Sequence, residues 1–68
     1  MTAIAKVKQT LATLKGAEST LRMYYVKEQN KEAKEIYIET VKEINKINME
    51  LEKRISTMEF EEPQYKGN

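Results

Sequence analysis

The sequence predicts an all-α fold in which two helices form an antiparallel hairpin. Three observations lead to this prediction. Residues 3–29 contain no proline and a single glycine, apolar residues recur at alternating steps of three and four, and a short polar stretch interrupts the pattern near the middle of the chain. A chain of 68 residues forms one domain at most. We expect a hairpin over residues 1–60, with helices at about 3–28 and 32–59, a turn at about 29–31 and a flexible C-terminal tail at 61–68.

The first predicted helix has an apolar seam of the heptad type. Its members are Ile4, Val7, Leu11, Leu14, Leu21 and Tyr25. Glu18 fills the one place on the seam where an apolar residue is missing. Thr2 is suited to cap the N-terminus of this helix, because its hydroxyl can accept from a free backbone N–H.

The second predicted helix repeats the seam. Its members are Tyr37, Val41, Ile44, Asn48, Leu51, Ile55 and Met58, and Asn48 is polar. The pattern is lost from Glu59 onward, where Pro63 and Gly67 indicate a tail.

The stretch from Lys27 to Glu32 contains no apolar residue and predicts the turn. Asn30 suits either the C-terminus of the first helix or the N-cap of the second. Basic residues prevail in 1–31 and acidic residues in 32–62, so an antiparallel arrangement places opposite charges side by side. The alternative is one continuous helix through residue 58.

The two edges of the seam differ in character. The charged edge carries Lys8, Lys15 and Arg22 on the first helix and Ile38, Asn45, Glu52 and Glu59 on the second. The other edge consists of Ala3, Thr10, Ala17 and Tyr24 facing Ala33, Thr40, Ile47 and Arg54. It is here called the uncharged edge, because its members other than Arg54 are small, apolar or weakly polar. One seam buries too little apolar surface for a chain of this size, so we expect a homo-oligomer, with two hairpins forming a four-helix bundle through the uncharged edge. The alternative occupant of this edge is a helix of a different protein.

Glu18 and Asn48 are the polar residues of the seam. In the register that pairs residue 4 with residue 58, Asn48 faces Leu14 and Glu18 faces Ile44, one layer away. We interpret the two as a polar layer that fixes register and oligomeric state, with Glu18 able to turn outward to a basic side chain. The alternative is an ion or small-ligand site in the bundle core, which the absence of histidine disfavours.

The composition disfavours an enzyme. The chain has no cysteine and no histidine, which removes the thiol nucleophile, the commonest general base and the commonest metal ligand. A row of carboxylates, Glu32, Glu35, Glu39 and Glu43, follows helical spacing, but Lys34, Lys42 and Lys46 are interleaved with it. We interpret this row as a solvated charged face, and we expect no catalytic residue, metal or cofactor.

Binding to nucleic acid and association with a membrane are two further possibilities, and the sequence disfavours both. The stripe of Lys8, Lys15 and Arg22 suits a small dimeric nucleic-acid-binding protein, but Glu52 and Glu59 on the same edge neutralise it, and the net charge is only +1. The longest apolar run, Met23 to Val26, is far too short to span a bilayer, and no signal peptide is recognisable. We therefore expect a cytoplasmic protein without a direct membrane span.

Phe60, Pro63 and Tyr65 at the end of the chain have two interpretations. They form a short peptide that binds a partner, or Phe60 closes the end of the bundle and the rest frays.

Three stretches together resemble a known family: residues 7–17, residues 30–37 and residues 61–67. They are similar to the domain of unknown function numbered sixteen fifty-seven, of endospore-forming bacteria. The resemblance implies a sporulation-linked role in the forespore or spore. Genes of this family often accompany those for the spore membrane channel that moves dipicolinic acid, and the domain also occurs fused to a membrane protein. A spore membrane protein is therefore the partner that the resemblance implies.

Overall fold

The computed structural model describes residues 2–61. Helix α1 spans Ala3–Lys27, helix α2 spans Lys31–Glu61, and the two pack against each other along their length. The all-α hairpin predicted from the sequence is confirmed, and the alternative of one continuous helix is wrong. The hairpin measures 49 × 17 × 13 Å. Helix α2 begins one residue earlier than the pattern predicts and continues to Glu61, because a helix needs no apolar residue to complete its last turn.

Side-chain caps define where the helices begin and end. The Thr2 hydroxyl accepts a hydrogen bond from the Ala5 N–H at 3.2 Å, which satisfies one of the free donors at the start of α1. Glu28 ends α1 in an extended conformation, and its N–H donates to the Tyr24 carbonyl at 2.9 Å. Of the two roles open to Asn30, it takes the N-cap of α2, because its Oδ1 accepts from the Ala33 N–H at 2.9 Å.

The core is a single layer of side chains along the seam. Ile4, Val41 and Ile55 are its buried apolar members, and Asn48 is buried among them. The leucines of the seam, Leu11, Leu14, Leu21 and Leu51, are only half-buried. Two helices cover each other on one side only, so this hairpin leaves part of its apolar surface exposed.

Aromatic side chains close the hairpin near the turn. The rings of Tyr24 and Tyr37 lie 5.9 Å apart, centroid to centroid, with a tilt of 54° between their planes. The Lys34 ammonium lies 4.5 Å from the centroid of the Tyr25 ring, within the range of a cation–π contact. Both contacts join α1 to α2, so they hold the two helices together beside the turn.

Truncating the buried Val41 should destabilise the hairpin far more than truncating the exposed Val26. The exposed fractions are 1% for Val41 and 74% for Val26. We expect Val41→Ala to lower the free energy of unfolding by about 2 kcal/mol, because two buried methyl groups and their packing are lost. Val26→Ala corrects for the change in helix propensity and should have an effect within about 0.5 kcal/mol. Urea unfolding followed by circular dichroism measures both, and equal effects would contradict a core placed along this seam.

Candidate interaction surface

Ion pairs close the charged edge. The Lys8 ammonium lies 2.9 Å from a carboxylate oxygen of Glu59, and the Lys15 ammonium lies 3.1 Å from one of Glu52. Both pairs join α1 to α2 across the edge on which the sequence predicts complementary charges. The Lys15–Glu52 pair is exposed and the Lys8–Glu59 pair only partly buried. Pairs close to solvent stabilise by only about 0–1 kcal/mol each, so their main effect is on orientation and register.

The Glu18 carboxylate is the centre of a polar cluster on this side of the seam. Its Oε2 accepts from Nη2 of Arg22 at 3.1 Å and from Nδ2 of Asn45 at 3.4 Å. Its Oε1 accepts from Nδ2 of Asn48 at 3.1 Å. The sequence register placed Glu18 and Asn48 one layer apart, whereas the structure joins them by a direct hydrogen bond. The length of the Glu18 side chain allows it to reach across the layer.

The sequence analysis missed Asn45 as a member of this cluster. Asn45 was assigned to the charged edge, but its amide donates to the same carboxylate as the amide of Asn48. The spacing contained a signal for this role, because residues three apart on a helix lie on the same side. Two asparagines at that spacing can therefore approach one carboxylate on the facing helix.

The surroundings of Glu18 favour its ionised form. The hydrogen bond from Arg22 lowers the pKa of Glu18 below its ordinary value of 4.5, and the bonds from Asn48 and Asn45 act in the same direction. Partial burial opposes this, since the side chain is only 15% exposed. The ionised carboxylate can only accept hydrogen bonds, and the N–H groups of Arg22, Asn45 and Asn48 stabilise it.

Asn48 is left with one unsatisfied polar atom. The residue is 2% exposed, and its Oδ1 has no hydrogen-bond partner among residues 2–61. A buried acceptor without a donor costs about 1–3 kcal/mol. The hairpin therefore contains a polar group whose partner is absent from the described residues.

The uncharged edge is the open side of the hairpin. Ala17 and Ala33 are half-buried there, whereas Tyr24 is 50% exposed and Ile47 is 47% exposed. The remaining members, Ala3, Thr10, Thr40 and Arg54, are exposed. Five of the seven residues predicted for an interface are thus exposed within the hairpin, and two are half-buried.

The threonine hydroxyls on this side are hydrogen-bonded to their own helices. The Thr10 hydroxyl donates to the Lys6 carbonyl at 3.0 Å, and the Thr40 hydroxyl donates to the Ile36 carbonyl at 2.8 Å. Bonds of the same kind engage the hydroxyls of Thr13, Thr20 and Thr57 at the outer border of this edge. Because each hydroxyl is satisfied by its own helix, the edge is less polar than its composition suggests.

The other candidate features remain separate from this surface. Glu32, Glu35 and Glu39 line an open groove on the outside of α2. Within residues 2–61 no group of three or more acidic side chains is close enough to hold a metal ion, and neither helix is long and apolar enough to cross a bilayer. Phe60 is 84% exposed. Pro63 and Tyr65, the other two residues of the predicted partner-binding tail, lie outside the described residues.

The family model described as "Protein of unknown function (DUF1657)" matches residues 7–55. This chain belongs to the DUF1657 family. The match contains the polar layer and most of both edges of the hairpin. Of the three stretches that carry the resemblance, it contains residues 7–17 and 30–37, and it ends before residues 61–67. Comparison with curated proteins and with solved structures gave no match to this DUF1657 chain.

Protonating Glu18 should weaken the hairpin. Because the folded state lowers the pKa of Glu18, the contribution of this group is fully present above about pH 4.5, its ordinary pKa. It is lost as the pH falls through the lower pKa of the folded state. We expect the difference in free energy of unfolding between the unmodified chain and Glu18→Gln to shrink as the pH is lowered from about 7 to about 3.

Urea titrations at several pH values measure this difference. Glu18→Gln is the internal reference, because it retains the shape of the side chain and removes the titration. A difference that stays constant over the whole range would contradict a stabilising role of the ionised carboxylate.

Proposed function

We propose that this chain is a non-enzymatic helical interaction module that associates with a second copy of itself through the uncharged edge and forms a four-helix bundle. The observation that carries this proposal is the difference between the two edges. Lys8 and Lys15 close one edge by ion pairs across the seam. The other edge leaves Tyr24 and Ile47 exposed, and its threonine hydroxyls are bonded to their own helices.

The dimensions of the hairpin fit an interface of ordinary size. A stable protein–protein interface buries about 800 Å² on each partner. The whole hairpin is 49 Å long and 17 Å wide, so an interface of that size would cover about one entire broad side of the molecule, the uncharged edge together with its borders. Small side chains such as Ala17 and Ala33 allow a facing helix to approach closely, and neither introduces a charge that must be desolvated.

The polar layer also supports self-association. A buried asparagine on a heptad seam is a device that selects one register and one oligomeric state at some cost in stability. Asn48 has this position, and its Oδ1 lacks a donor within the described hairpin.

The basic stripe gives little support to nucleic-acid binding, the second function considered from the sequence. Lys8 and Lys15 are paired with carboxylates of α2, and Arg22 is paired with Glu18 in its own helix. Phosphate binding depends on positive charge that no carboxylate already compensates. We therefore propose a protein partner rather than a nucleic acid.

We further propose that the self-associated hairpin serves as a sporulation-linked accessory of a membrane protein assembly of the spore. The setting comes from the family resemblance of the sequence. Phe60, which projects from the last turn of α2 with 84% of its surface exposed, supports a contact at that end of the molecule. An exposed aromatic side chain is well suited to anchor such a contact.

Ile47→Glu should prevent self-association, and Met49→Glu should not. Both residues are exposed apolar side chains of α2, but Ile47 lies on the uncharged edge, whereas Met49 lines a groove beside Lys15 and Glu52. A glutamate buried in the interface without a partner costs about 3 kcal/mol, or roughly a hundredfold in Kd. Light scattering over a range of concentrations should give the dimer mass for the unmodified chain and for Met49→Glu, and the monomer mass for Ile47→Glu.

Circular dichroism serves as the control for folding, since both variants should keep the helix content of the unmodified chain. An unmodified chain that stays monomeric at all concentrations would refute self-association. Equal effects of the two substitutions would refute the choice of edge.

Replacing Phe60 by alanine should weaken capture of the membrane assembly, because its exposed ring is the proposed anchor. We expect the 68-residue chain, immobilised as bait, to retain an integral membrane protein from detergent extracts of sporulating cells. The Phe60→Ala chain should retain about tenfold less, which corresponds to a loss of roughly 1.4 kcal/mol. Quantitative mass spectrometry measures both, with the Met49→Glu chain as a matched bait. Equal retention by the unmodified and Phe60→Ala chains, or none by either, would contradict this part of the proposal.

A further inference from the structure

We infer that the outer side of α1 is a second docking surface, which takes one helix of a different protein whose own seam is flanked by acidic side chains. The surface is a second row of uncharged residues along α1, here called the outer seam. It shares no residue with the uncharged edge, so the inference goes beyond the proposed self-association and does not depend on it. Its members are Ala5, Gln9, Ala12, Gly16, Ser19, Met23 and Val26.

The outer seam has the spacing of a face that packs against another helix. Its members recur at alternating steps of four and three, as do the members of the seam that packs on α2. Steps of this kind keep side chains in one line along a helix, where a second helix can pack against them. Six of the seven members are exposed, and only Ala5 is half-buried. Helix α1 thus has one seam covered by α2 and another that no part of residues 2–61 covers.

The outer side of α2 differs from the outer seam in its charge. The corresponding heptad places of α2 are mostly lysine and glutamate, namely Glu32, Glu35, Glu39, Lys42, Lys46 and Lys53. Protein surfaces in water typically carry charged side chains at about a quarter to a third of their positions, and the cores of protein interfaces are depleted in them. The lack of charge along the outer seam therefore indicates a contact surface, whereas the outer side of α2 is suited to water.

The side chains of the outer seam allow a second helix to approach closely. Ala12, Gly16 and Ser19 in its middle are small, and small side chains permit interaxial distances of about 8 Å. A Cβ atom added at Gly16 would meet no other atom within 4 Å, so packing inside the hairpin does not require a glycine there. A glycine within a helix costs about 1 kcal/mol relative to alanine. Met23 and Val26 add apolar area, since they are 56% and 74% exposed.

The residues that flank the outer seam are basic on both sides. One flank contains Lys6 and Lys27, which are exposed and have no ion pair within residues 2–61. The other contains Lys8, Lys15 and Arg22, whose glutamate partners belong to α2 or to the seam that packs on α2. These cations lie between their partners and the outer seam, and no acidic residue of α1 lies on either flank. Acidic side chains at the borders of a bound helix would therefore be complementary.

The surfaces of a second copy do not have this chemistry. Two outer seams facing each other would place basic flanks against basic flanks in either direction, which opposes association. The outer side of α2 would bury its lysines and glutamates in the contact, at a large cost in desolvation. The uncharged edge contains Arg54, a further cation. A bilayer is also disfavoured, because surface helices bind lipid through bulky apolar side chains. A helix of a different protein is therefore the occupant.

Synthetic peptides test both the shape and the charge of this occupant. Two fluorescently labelled peptides of about 28 residues are long enough to cover the roughly 33 Å of the outer seam. Both have the same repeating seam of leucine and alanine, but one has glutamate and the other lysine at the places that flank it. We expect the glutamate peptide to bind the 68-residue chain about tenfold more tightly, as measured by fluorescence anisotropy. The difference should shrink as salt is added.

Ser19→Glu and Ser56→Glu are a matched pair of variants. Both serines are exposed and occupy the same heptad place, but Ser19 lies on the outer seam and Ser56 on the outer side of α2. The added carboxylate of Ser19→Glu would lie in the contact, so this variant should bind the glutamate peptide about tenfold more weakly. Ser56→Glu should bind it as the unmodified chain does. Circular dichroism should show unchanged helix content for both variants.

Tighter binding of the glutamate peptide that is lost in Ser19→Glu alone supports the inference. Equal binding of the two peptides would overturn the charge of the occupant, and equal effects of the two substitutions would overturn its place on α1. No binding of either peptide up to about 1 mM would overturn the docking surface itself. A chain that stays monomeric in light scattering would instead refute the proposed dimer, without affecting the binding of the peptides.

Discussion

An antiparallel pair of helices has one seam and two edges, and the hairpin depends on how its charges are divided between those edges. Lys8 and Lys15 reach carboxylates of α2 across one edge and fix the register of the whole hairpin. Each pair contributes little free energy because it is close to solvent, yet together the pairs decide which side of the seam faces water. The opposite edge has a single charged member, Arg54, among small and apolar side chains, and it is a long side on which the half-buried seam can gain cover. The interaction surface is in this sense a consequence of where the ion pairs lie.

The polar layer adds a second level of specification. The Glu18 carboxylate accepts hydrogen bonds from Arg22 on α1 and from Asn45 and Asn48 on α2. These bonds connect the two helices near the middle of the hairpin. An apolar side chain at either seam position would pack more favourably but would tolerate neighbouring registers. The layer therefore exchanges some stability for a defined alignment. The same layer contains Oδ1 of Asn48, the one buried side-chain oxygen without a hydrogen-bond partner within residues 2–61.

Much of the fold could be predicted because it depends on periodicity and on caps. The spacing of Ile4, Val41 and Ile55 identifies the seam, and Asn30 marks the turn. The hydrogen bond between Glu18 and Asn48 could not be predicted in the same way, because heptad positions give the layer of a residue but not the reach of its side chain. The hydrogen bonds of the threonine hydroxyls to their own helices could not be predicted either, since a sequence does not give side-chain rotamers. The polarity of the surface proposed for assembly depends on side-chain reach and rotamers. Heptad positions could therefore suggest which residues belong to it but not how polar it is.

The hydrogen-bonded threonines on the uncharged edge have a thermodynamic consequence. An interface made of methyl groups and small aliphatic side chains gains its free energy mainly by releasing water, since the hydroxyls of Thr10 and Thr40 are already satisfied by their own helices. Association of this kind has a negative heat-capacity change and weakens on cooling. The proposed bundle should therefore weaken in the cold and become more stable with moderate warming, whereas the ion pairs on the charged edge should respond mainly to salt. The mean hydropathy of the chain, −0.74, gives no indication of such an apolar face, because it averages over all residues.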